Sequence, residues 1–222
     1  MNLTLFDLDG TLIPVDSDHS FGAFMVEVGW ADAVAWGAKN DEFFAQYNAG
    51  TLDLPAYVAF ATSAWRNRPL AEALAMRERF MAEIGQPALR PEAIALVEKH
   101  RAAGDLIALV TATNEFVTAP FAEAFGIEHL IAVQLERDEE GRYTGAVRGV
   151  PSFREGKIAR VESWLQGLGA QWSGFKRVTF YSDSTNDLPL LERVSHPVAT
   201  NPSPTLSVIA AERGWPQLQL FA

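Results

Sequence analysis

The first twelve residues contain an apolar run, residues 3–6, that ends at two closely spaced carboxylates, Asp7 and Asp9, and a Gly-Thr turn. An apolar run of this length, stopped by a turn signal, predicts a buried β-strand. Two carboxylates at the end of a buried strand are costly unless a metal ion, a basic side chain or a reaction compensates their charge. We therefore expect the chemistry of the chain at the end of its first strand.

The composition narrows the classes of protein that remain. The chain has 222 residues, of which 48% are apolar, so it is long enough for one large domain or for a core domain with a smaller insert. A net charge of -10 without a basic stripe argues against a nucleic-acid partner, and the lack of cysteine excludes disulfides and thiolate chemistry. No apolar run approaches the roughly 18 residues of a membrane span. No signal-peptide pattern is present either, so we expect a cytoplasmic enzyme.

The segment after the first strand has the pattern of a helical bundle. Apolar residues recur at helical spacing in residues 21–28, 31–47, 54–65 and 70–84. Glycines end these stretches, as Gly85 ends the last one, and no convincing strand pattern occurs in between. The aromatic residues at these spacings are expected in the core of the bundle; they are Phe21, Phe24, Phe43, Phe44 and Trp65. We predict a small all-helical domain at residues 14–86, inserted into a core domain of residues 1–13 and 87–222.

The rest of the chain alternates between short apolar strands and helices. Strand patterns occur at residues 106–110, 127–135, 177–182 and 197–200, and a β-hairpin is predicted at 136–147. Helical patterns occur at residues 91–103, 114–125, 154–168, 188–191 and 204–214. Such alternation is typical of βαβ units with right-handed crossovers. The predicted fold is therefore α/β, with a Rossmann-like, mostly parallel sheet flanked by helices.

Polar clusters follow three of the predicted strands, at residues 7–9, 111–113 and 183–187. Ligands of open parallel sheets bind outside the carboxyl ends of the strands, so these clusters are expected to form one site. Their carboxylates would repel one another without a cation, and an oxygen-only site suits Mg²⁺, which also takes waters and substrate phosphate as ligands. Thr111 and the N–H groups after it stand at the start of a predicted helix, which is a favourable place for an anion.

These clusters resemble the motifs of the haloacid dehalogenase superfamily, on its phosphatase branch and in its phosphoserine-phosphatase-like subgroup. The family's Asp-x-Asp-x-Thr motif corresponds to residues 7–11, and its strand-end threonine corresponds to Thr111. Its lysine corresponds to Lys157, with Arg154 and Lys176 as nearby alternatives, and its acid-rich loop corresponds to residues 183–187. The resemblance implies that the helical insert is a cap, which closes over the active site and selects the substrate.

The resemblance also implies a role for each matched residue. Asp7 is expected as the nucleophile that forms an aspartyl-phosphate, and Asp9 as the acid that protonates the leaving alkoxide and later activates water. A Mg²⁺ ion is expected on Asp7, Asp9 (through its backbone carbonyl) and Asp183. The phosphate is expected on Thr111, Ala112 and Lys157, and the supporting residues are expected to be Asp187, Gly10, Thr11 and Asn186.

The resemblance leaves the identity of the small phosphorylated substrate open. Phosphoserine phosphatases are expected to carry a Glu after the first motif and an Arg in the cap, but residues 13–19 contain no Glu. The candidates for substrate recognition are Asp16 and Asp18 for an amino group, Arg77 and Arg79 for a carboxylate, and His19 as a further ligand contact. A phosphoserine-like metabolite is the first expectation, and histidinol phosphate or another small metabolite is the alternative. A phosphotransferase or mutase, and a non-catalytic phosphate-binding module, are further alternatives, and the sequence does not distinguish a monomer from a homodimer.

Overall fold

The computed structural model describes residues 1–221 and contains one six-stranded, wholly parallel sheet and a separate hairpin. The strands of the sheet are β1 (Leu3–Phe6), β2 (Leu106–Asn114), β3 (His129–Val133), β6 (Val178–Ser182), β7 (His196–Thr200) and β8 (Gln217–Leu218). The hairpin strands are β4 (Leu135–Arg137) and β5 (Tyr143–Val147), which pair antiparallel. The spatial order of the sheet is β3-β2-β1-β6-β7-β8, so β1 is central. The predicted parallel α/β sheet and the hairpin are confirmed, whereas the two-residue strand β8 had no sequence signal.

Ten α-helices and a few tighter or wider turns connect the strands. The helices before β2 are α1 (Ser17–Glu27), α2 (Ala35–Asn48), α3 (Leu54–Ser63), α4 (Leu70–Phe80), α5 (Gln86–Ala88) and α6 (Pro91–Ala102), with a π-helical turn at Met81–Gly85. The later helices are α7 (Glu115–Ala124), α8 (Glu155–Gly167), α9 (Leu188–Arg193) and α10 (Pro204–Arg213), with 3-10 turns at Trp172–Gly174 and Thr185–Asp187. None of the helices within residues 1–221 is long and apolar enough to cross a membrane.

The two faces of the sheet are covered by different helices because successive side chains of a strand point to opposite faces. Leu3 and Leu5 of β1 belong to one apolar cluster, to which α8, α9 and α10 contribute buried leucine, valine and alanine residues. Phe6 belongs to the other cluster, with residues of α1, α3, α4, α6 and α7. Helices therefore flank the sheet on both faces, as the sequence pattern predicts.

Helices α1 to α4 lie between β1 and β2 and share a core with the sheet. Phe21, Phe24 and Trp65 are buried in the same apolar cluster as Phe6, as expected for core aromatics. Trp65 stacks on Phe116 of α7 with ring centroids 4.0 Å apart. The apolar contact between insert and sheet is therefore continuous, and the domain boundaries at residues 14–86 stay a prediction.

The expected helix end at Gly85 is wrong. Gly85 has helical geometry inside the π-helical turn, and the chain continues directly into α5. A Cβ at Gly85 would lie 2.3 Å from Sδ of Met81 and 3.3 Å from Cζ of Phe121. Close packing against these side chains favours glycine at this position. The helical segment ends only where the backbone of Leu89 becomes extended.

Trp65 provides a test of the junction between the insert and the core. Trp65→Ala removes a fully buried ring that stacks on Phe116, so it is expected to lower the free energy of unfolding by about 3–5 kcal/mol. Val34→Ala, at a position that is 81% exposed, is the control and should change stability by less than about 0.5 kcal/mol. Urea unfolding followed by circular dichroism measures both. Equal stability of the two variants would contradict this assignment of Trp65 to the shared core.

Candidate active site

Parallel pairing brings the ends of β1, β2 and β6 to one edge of the sheet. The register places Phe6 at the end of β1 beside Leu109 of β2 and Tyr181 of β6. The N–H of Asp7 continues this pairing by donating to the carbonyl of Tyr181 at 3.0 Å. The polar clusters that follow these three strands therefore meet in space, as the topology requires.

A buried lysine holds two of these carboxylates. Nζ of Lys157, on α8, lies 3.1 Å from Oδ1 of Asp7 and 2.7 Å from Oδ1 of Asp187. The hydroxyl of Ser182 also donates to Asp187, at 2.7 Å. Burial opposes the charged form of the lysine, but the carboxylates of Asp187 and Asp7 raise the pKa of Lys157 to about 12. The lysine therefore carries its charge at any physiological pH.

Neither of the alternative basic residues occupies this position. The guanidinium of Arg154 donates to the carbonyl of Gly50, in the loop after α2. Lys176 is exposed, and its backbone N–H donates to the carbonyl of Met1. The structure thus brings Lys157, rather than Arg154 or Lys176, to Asp7.

The two carboxylates of the first motif have different surroundings. Burial raises the pKa of Asp7 well above its usual range, an effect that Lys157 opposes. Asp9 instead accepts hydrogen bonds from the N–H of Ser17 and the hydroxyl of Thr113, both at 2.8 Å. Burial and the nearby Asp16 raise the pKa of Asp9 to about 7. Asp7 is therefore placed against a fixed cation, while Asp9 can take up and release a proton near neutral pH.

Asp183 packs against the turn of the first motif. The hydroxyl of Thr11 donates to Oδ1 of Asp183 at 3.2 Å, and a Cβ at Gly10 would lie 2.3 Å from Oδ2. Gly10 has φ +69, so glycine is required here both for the turn and for the approach of the carboxylate. Burial and Asp187 raise the pKa of Asp183 to about 7. Asn201 fixes this turn by donating to the carbonyls of Gly10 at 2.8 Å and Thr11 at 3.2 Å.

The threonine cluster lies at the end of β2, directly before α7. The hydroxyl of Thr111 accepts a hydrogen bond from the N–H of Thr113 at 3.1 Å. Asn114 caps α7 by accepting from the N–H of Val117 at 3.2 Å, which confirms the predicted N-cap. The side-chain amide of Asn114 also donates to Asp18 at 3.1 Å. The helix start thus links the expected phosphate-binding residues to the insert.

The residues present fit a magnesium ion that is only partly coordinated by protein. Within residues 1–221, no three His, Cys, Asp or Glu side chains converge into a ready-made metal cage. Mg²⁺ characteristically keeps several waters and binds substrate phosphate together with one or two carboxylates, which Asp7 and Asp183 could supply. Burial raises the pKa of both groups, and neighbouring carboxylates raise it further, Asp183 acting on Asp7 and Asp187 acting on each of them. A bound cation would stabilise their ionised forms.

A cavity opens between this edge of the sheet and the helices of the insert. Its lining residues are mainly carboxylates and aromatic or apolar side chains: Asp9, Asp16, Asp18, His19, Phe43, Phe44, Tyr47, Leu52, Leu54, Tyr57, Ala112, Thr113 and Phe153. No lysine or arginine of residues 1–221 lines it. Phe43 is buried, as expected for a core residue, and it also borders the cavity, whereas Phe44 is only half-buried there. They lie with Tyr47 on one side of α2, at a spacing that the sequence pattern alone does not distinguish from core packing.

Three of the predicted specificity residues reach this cavity. Asp16 caps α1 by accepting from the N–H of His19 at 2.7 Å, and burial raises the pKa of Asp16 to about 6. Burial also raises the pKa of Asp18 to about 7, an effect that hydrogen bonds from Tyr57 and Asn114 oppose. The ring of His19 stacks on Phe44 at 4.6 Å. The cavity therefore presents acidic groups and aromatic faces to a ligand.

The other two predicted specificity residues lie elsewhere. Arg77 donates to the carbonyl of Phe116 at 3.3 Å, and Arg79 pairs with Glu83 at 2.6 Å on the surface. Neither lines the cavity next to Asp9, so the structure does not bring them together with the other site residues. The reason is the direction of α4, whose arginines point toward α7 and solvent.

Two hydrogen bonds join the end of α2 and the loop after it to the core beside the acidic cluster. Asn186, one of the predicted supporting residues, donates to the carbonyl of Tyr47 in the last turn of α2 at 3.0 Å. The guanidinium of Arg154 donates to the carbonyl of Gly50 in the loop. The insert is therefore attached to the core directly beside Asp183 and Asp187.

Comparison with known proteins identifies the class to which this fold and site belong. A family model described as haloacid dehalogenase-like hydrolase matches residues 4–192. The chain belongs to this family of hydrolases. Within the family it is a phosphomonoester hydrolase, in keeping with its phosphatase-named relatives.

Individual relatives carry two different phosphatase names. The chain is 42% identical over 217 residues to a protein of Neisseria meningitidis serogroup C (strain 8013) named histidinol-phosphatase, covering 98% of each chain. It is 30% identical over 213 residues to phosphoserine phosphatase SerB1 of Mycobacterium tuberculosis (strain ATCC 25618 / H37Rv), covering 95% of this chain and 68% of that protein.

Solved structures support the fold. A Bordetella pertussis Tohama I protein of unknown function shares 48% identity, with a TM-score of 0.93 and 99% of each chain covered. A substrate-bound phosphoserine phosphatase shares the fold at 16% identity, with a TM-score of 0.69 and coverage of 98% of this chain and 92% of that one.

Replacing Lys157 tests the ion pairs at the centre of the site. Lys157→Met leaves Asp7 and Asp187 buried without a counter-charge and is expected to lower the free energy of unfolding by about 3–5 kcal/mol at pH 8. The loss should be smaller at pH 5.5, because carboxylates with raised pKa values then bind protons in the folded state. Urea unfolding at both pH values measures this loss of stability.

Lys176→Met, at the exposed alternative position, is the control and should change stability by less than about 0.5 kcal/mol at either pH. If the two lysine variants lose the same stability, or if Lys157→Met is as stable as the wild type, the buried ion pairs are wrongly assigned.

Asp18 is expected to make the metal-free protein less stable as the pH rises. Its pKa is 3.8 when unperturbed and about 7 in the folded chain, so between these values the folded state holds a proton that the unfolded state has lost. Stability therefore falls as pH rises through this window. Asp18→Asn should reduce the fall in melting temperature between pH 5 and pH 8. The exposed Asp41→Asn is the control, and an unchanged pH dependence in Asp18→Asn would be inconsistent with this role of burial.

Proposed function

We propose that this chain is a Mg²⁺-dependent phosphatase that hydrolyses a small phosphomonoester through an aspartyl-phosphate on Asp7. The observation that carries the proposal is the buried ammonium of Lys157 between Asp7 and Asp187, next to Asp183 at the same edge of the sheet. Membership of the hydrolase family supports it. The Mg²⁺ ion, when bound on Asp7, Asp183 and the carbonyl of Asp9, would neutralise phosphoryl charge and orient the transferred group.

The protein's own groups would divide the reaction between them. The carboxylate of Asp7 attacks phosphorus, and Lys157 offsets its charge and that of the phosphoryl oxygens. Asp9 gives its proton to the oxygen of the departing alcohol and then takes one from the water that hydrolyses the acyl phosphate. A pKa of about 7 suits Asp9 to both steps, because the group must be an acid first and a base afterwards. Thr111 and the N–H groups that follow it hold the phosphoryl oxygens.

The lining of the cavity favours a cationic alcohol as the leaving group. Asp16 and Asp18 face the cavity together with aromatic rings. Among residues 1–221, no lysine or arginine lines the cavity where it could bind a carboxylate. The carboxylate of phosphoserine would therefore meet groups of its own charge. We propose histidinol phosphate, whose ammonium group and imidazole ring suit such a lining, as the substrate. The name of the Neisseria meningitidis relative supports this choice.

Steady-state kinetics with histidinol phosphate and phosphoserine test the proposal. Histidinol phosphate is expected to exceed phosphoserine in kcat/KM by at least about tenfold, the equivalent of one ion pair of about 1.4 kcal/mol. EDTA should abolish hydrolysis and Mg²⁺ should restore it. Asp7→Asn should lower kcat by at least about 100-fold, because the amide is not a nucleophile. Phosphoserine as the best substrate would overturn the substrate proposal, and full activity of Asp7→Asn would overturn the mechanism.

Asp18→Asn separates recognition from chemistry. It is expected to raise KM for histidinol phosphate by about tenfold while leaving KM for p-nitrophenyl phosphate unchanged, since that ester has no ammonium group. Glu139→Gln, at an exposed position outside the cavity, is the control. Phosphoryl transfer to a sugar instead of water would indicate a phosphotransferase, and metal-dependent phosphate binding without turnover would indicate a binding module.

A further inference from the structure

A second cavity is lined by residues of α4, the start of α7, β3 and the hairpin β4–β5. It shares no lining residue with the active-site cavity. Arginines from three elements face it: Arg77 of α4, Arg137 of β4 and Arg148 directly after β5. The charge of this cavity is therefore opposite to that of the active-site cavity.

The three arginines are not neutralised by the protein. Five arginines elsewhere in the structure form ion pairs with Asp or Glu. Among the ion pairs formed by residues 1–221, none involves Arg77, Arg137 or Arg148, although the chain carries a net charge of -10. Glu115 is the single carboxylate in the lining, and it accepts a hydrogen bond from the N–H of Leu135 at 3.3 Å.

Arg77 also has a buried donor without an acceptor. One of its terminal nitrogens donates to the carbonyl of Phe116 at 3.3 Å, while its Nε is buried and has no hydrogen-bond partner. A buried donor of a charged group that remains unsatisfied costs more than an ordinary lost hydrogen bond.

The arginines are held in orientations that leave N–H groups available. The guanidinium of Arg77 lies over the ring of Phe116 at 5.1 Å, and that of Arg137 lies over the ring of Tyr143 at 4.2 Å. One terminal nitrogen of Arg77 donates to the carbonyl of Phe116, and one of Arg137 donates to the hydroxyl of Tyr143. The other terminal N–H groups of these two arginines have no partner within residues 1–221 and can bind oxyanions. Aromatic support of this kind limits side-chain motion and so reduces the entropy lost on binding.

We propose that this arginine cavity binds a small oxyanion that carries at least two negative charges on phosphate or carboxylate groups. Three guanidinium groups against one carboxylate give the cavity a net positive charge in an acidic protein, which concentrates anions there. The proposed site is independent of the proposed phosphatase reaction, because it shares no residue with the catalytic set.

Isothermal titration calorimetry of the full chain in metal-free buffer tests the site, with pyrophosphate and citrate titrated separately. The wild type is expected to bind at least one of them, and Arg137→Gln/Arg148→Gln should weaken that binding by at least tenfold. Both arginines are exposed, so the variant should fold and hydrolyse p-nitrophenyl phosphate at the wild-type rate. Binding of pyrophosphate alone identifies a phosphate-bearing ligand, and binding of citrate alone identifies a polycarboxylate.

Two controls make the result specific. Arg142→Gln removes an exposed arginine of the same hairpin that is already paired with Asp138 and Glu140, and it should bind as the wild type does. Thr111→Ala alters the active-site anion position and should leave the arginine-dependent binding in place. The proposal is overturned if neither probe binds, if the double arginine variant binds normally, or if Arg142→Gln or Thr111→Ala causes the same loss.

Discussion

Lys157 places a positive charge in a fully buried position between the carboxylates of Asp7 and Asp187, which follow two neighbouring strands. Removing an ammonium group from water costs several kcal/mol, and this cost is offset only when good partners surround the charge. The three side chains therefore stabilise one another only in the folded arrangement of β1, α8 and the turn after β6. Because Asp187 and Ser182 share a hydrogen bond, the orientation of the lysine also depends on the end of β6. The site is consequently assembled before any ligand arrives.

One ammonium group does not balance the carboxylates around it. Asp183 and Asp9 are half-buried and form no ion pair within residues 1–221, and desolvation raises the pKa of each to about 7. The same imbalance has two consequences in the proposed reaction. At Asp183 it favours a divalent cation, and at Asp9 it keeps a proton available at neutral pH. A second basic residue beside either group would stabilise the ionised form and remove both properties.

The sequence predicts the sheet and the main motif positions because those signals are local. A buried strand ending in carboxylates, a glycine in a turn and an asparagine at a helix start depend on a few neighbouring residues. The errors concern contacts between distant segments. Gly85 looks like a helix end, but Met81 and Phe121 require its small size inside a continuous helical turn. Asn201 fixes the turn of the first motif from about 190 residues away, a contact that no local pattern encodes.

The arginines of the insert show why charge has to be located in space as well as in sequence. Arg77 and Arg79 were expected beside the substrate, where they would bind its carboxylate. In that place they would also lower the pKa of Asp16 and Asp18 and cancel the negative charge of the cavity. Instead Arg77 donates to the carbonyl of Phe116 and lines the other cavity, while Arg79 pairs with Glu83 on the surface. The acids therefore keep their raised pKa values, and two cavities of opposite charge exist within a single small protein.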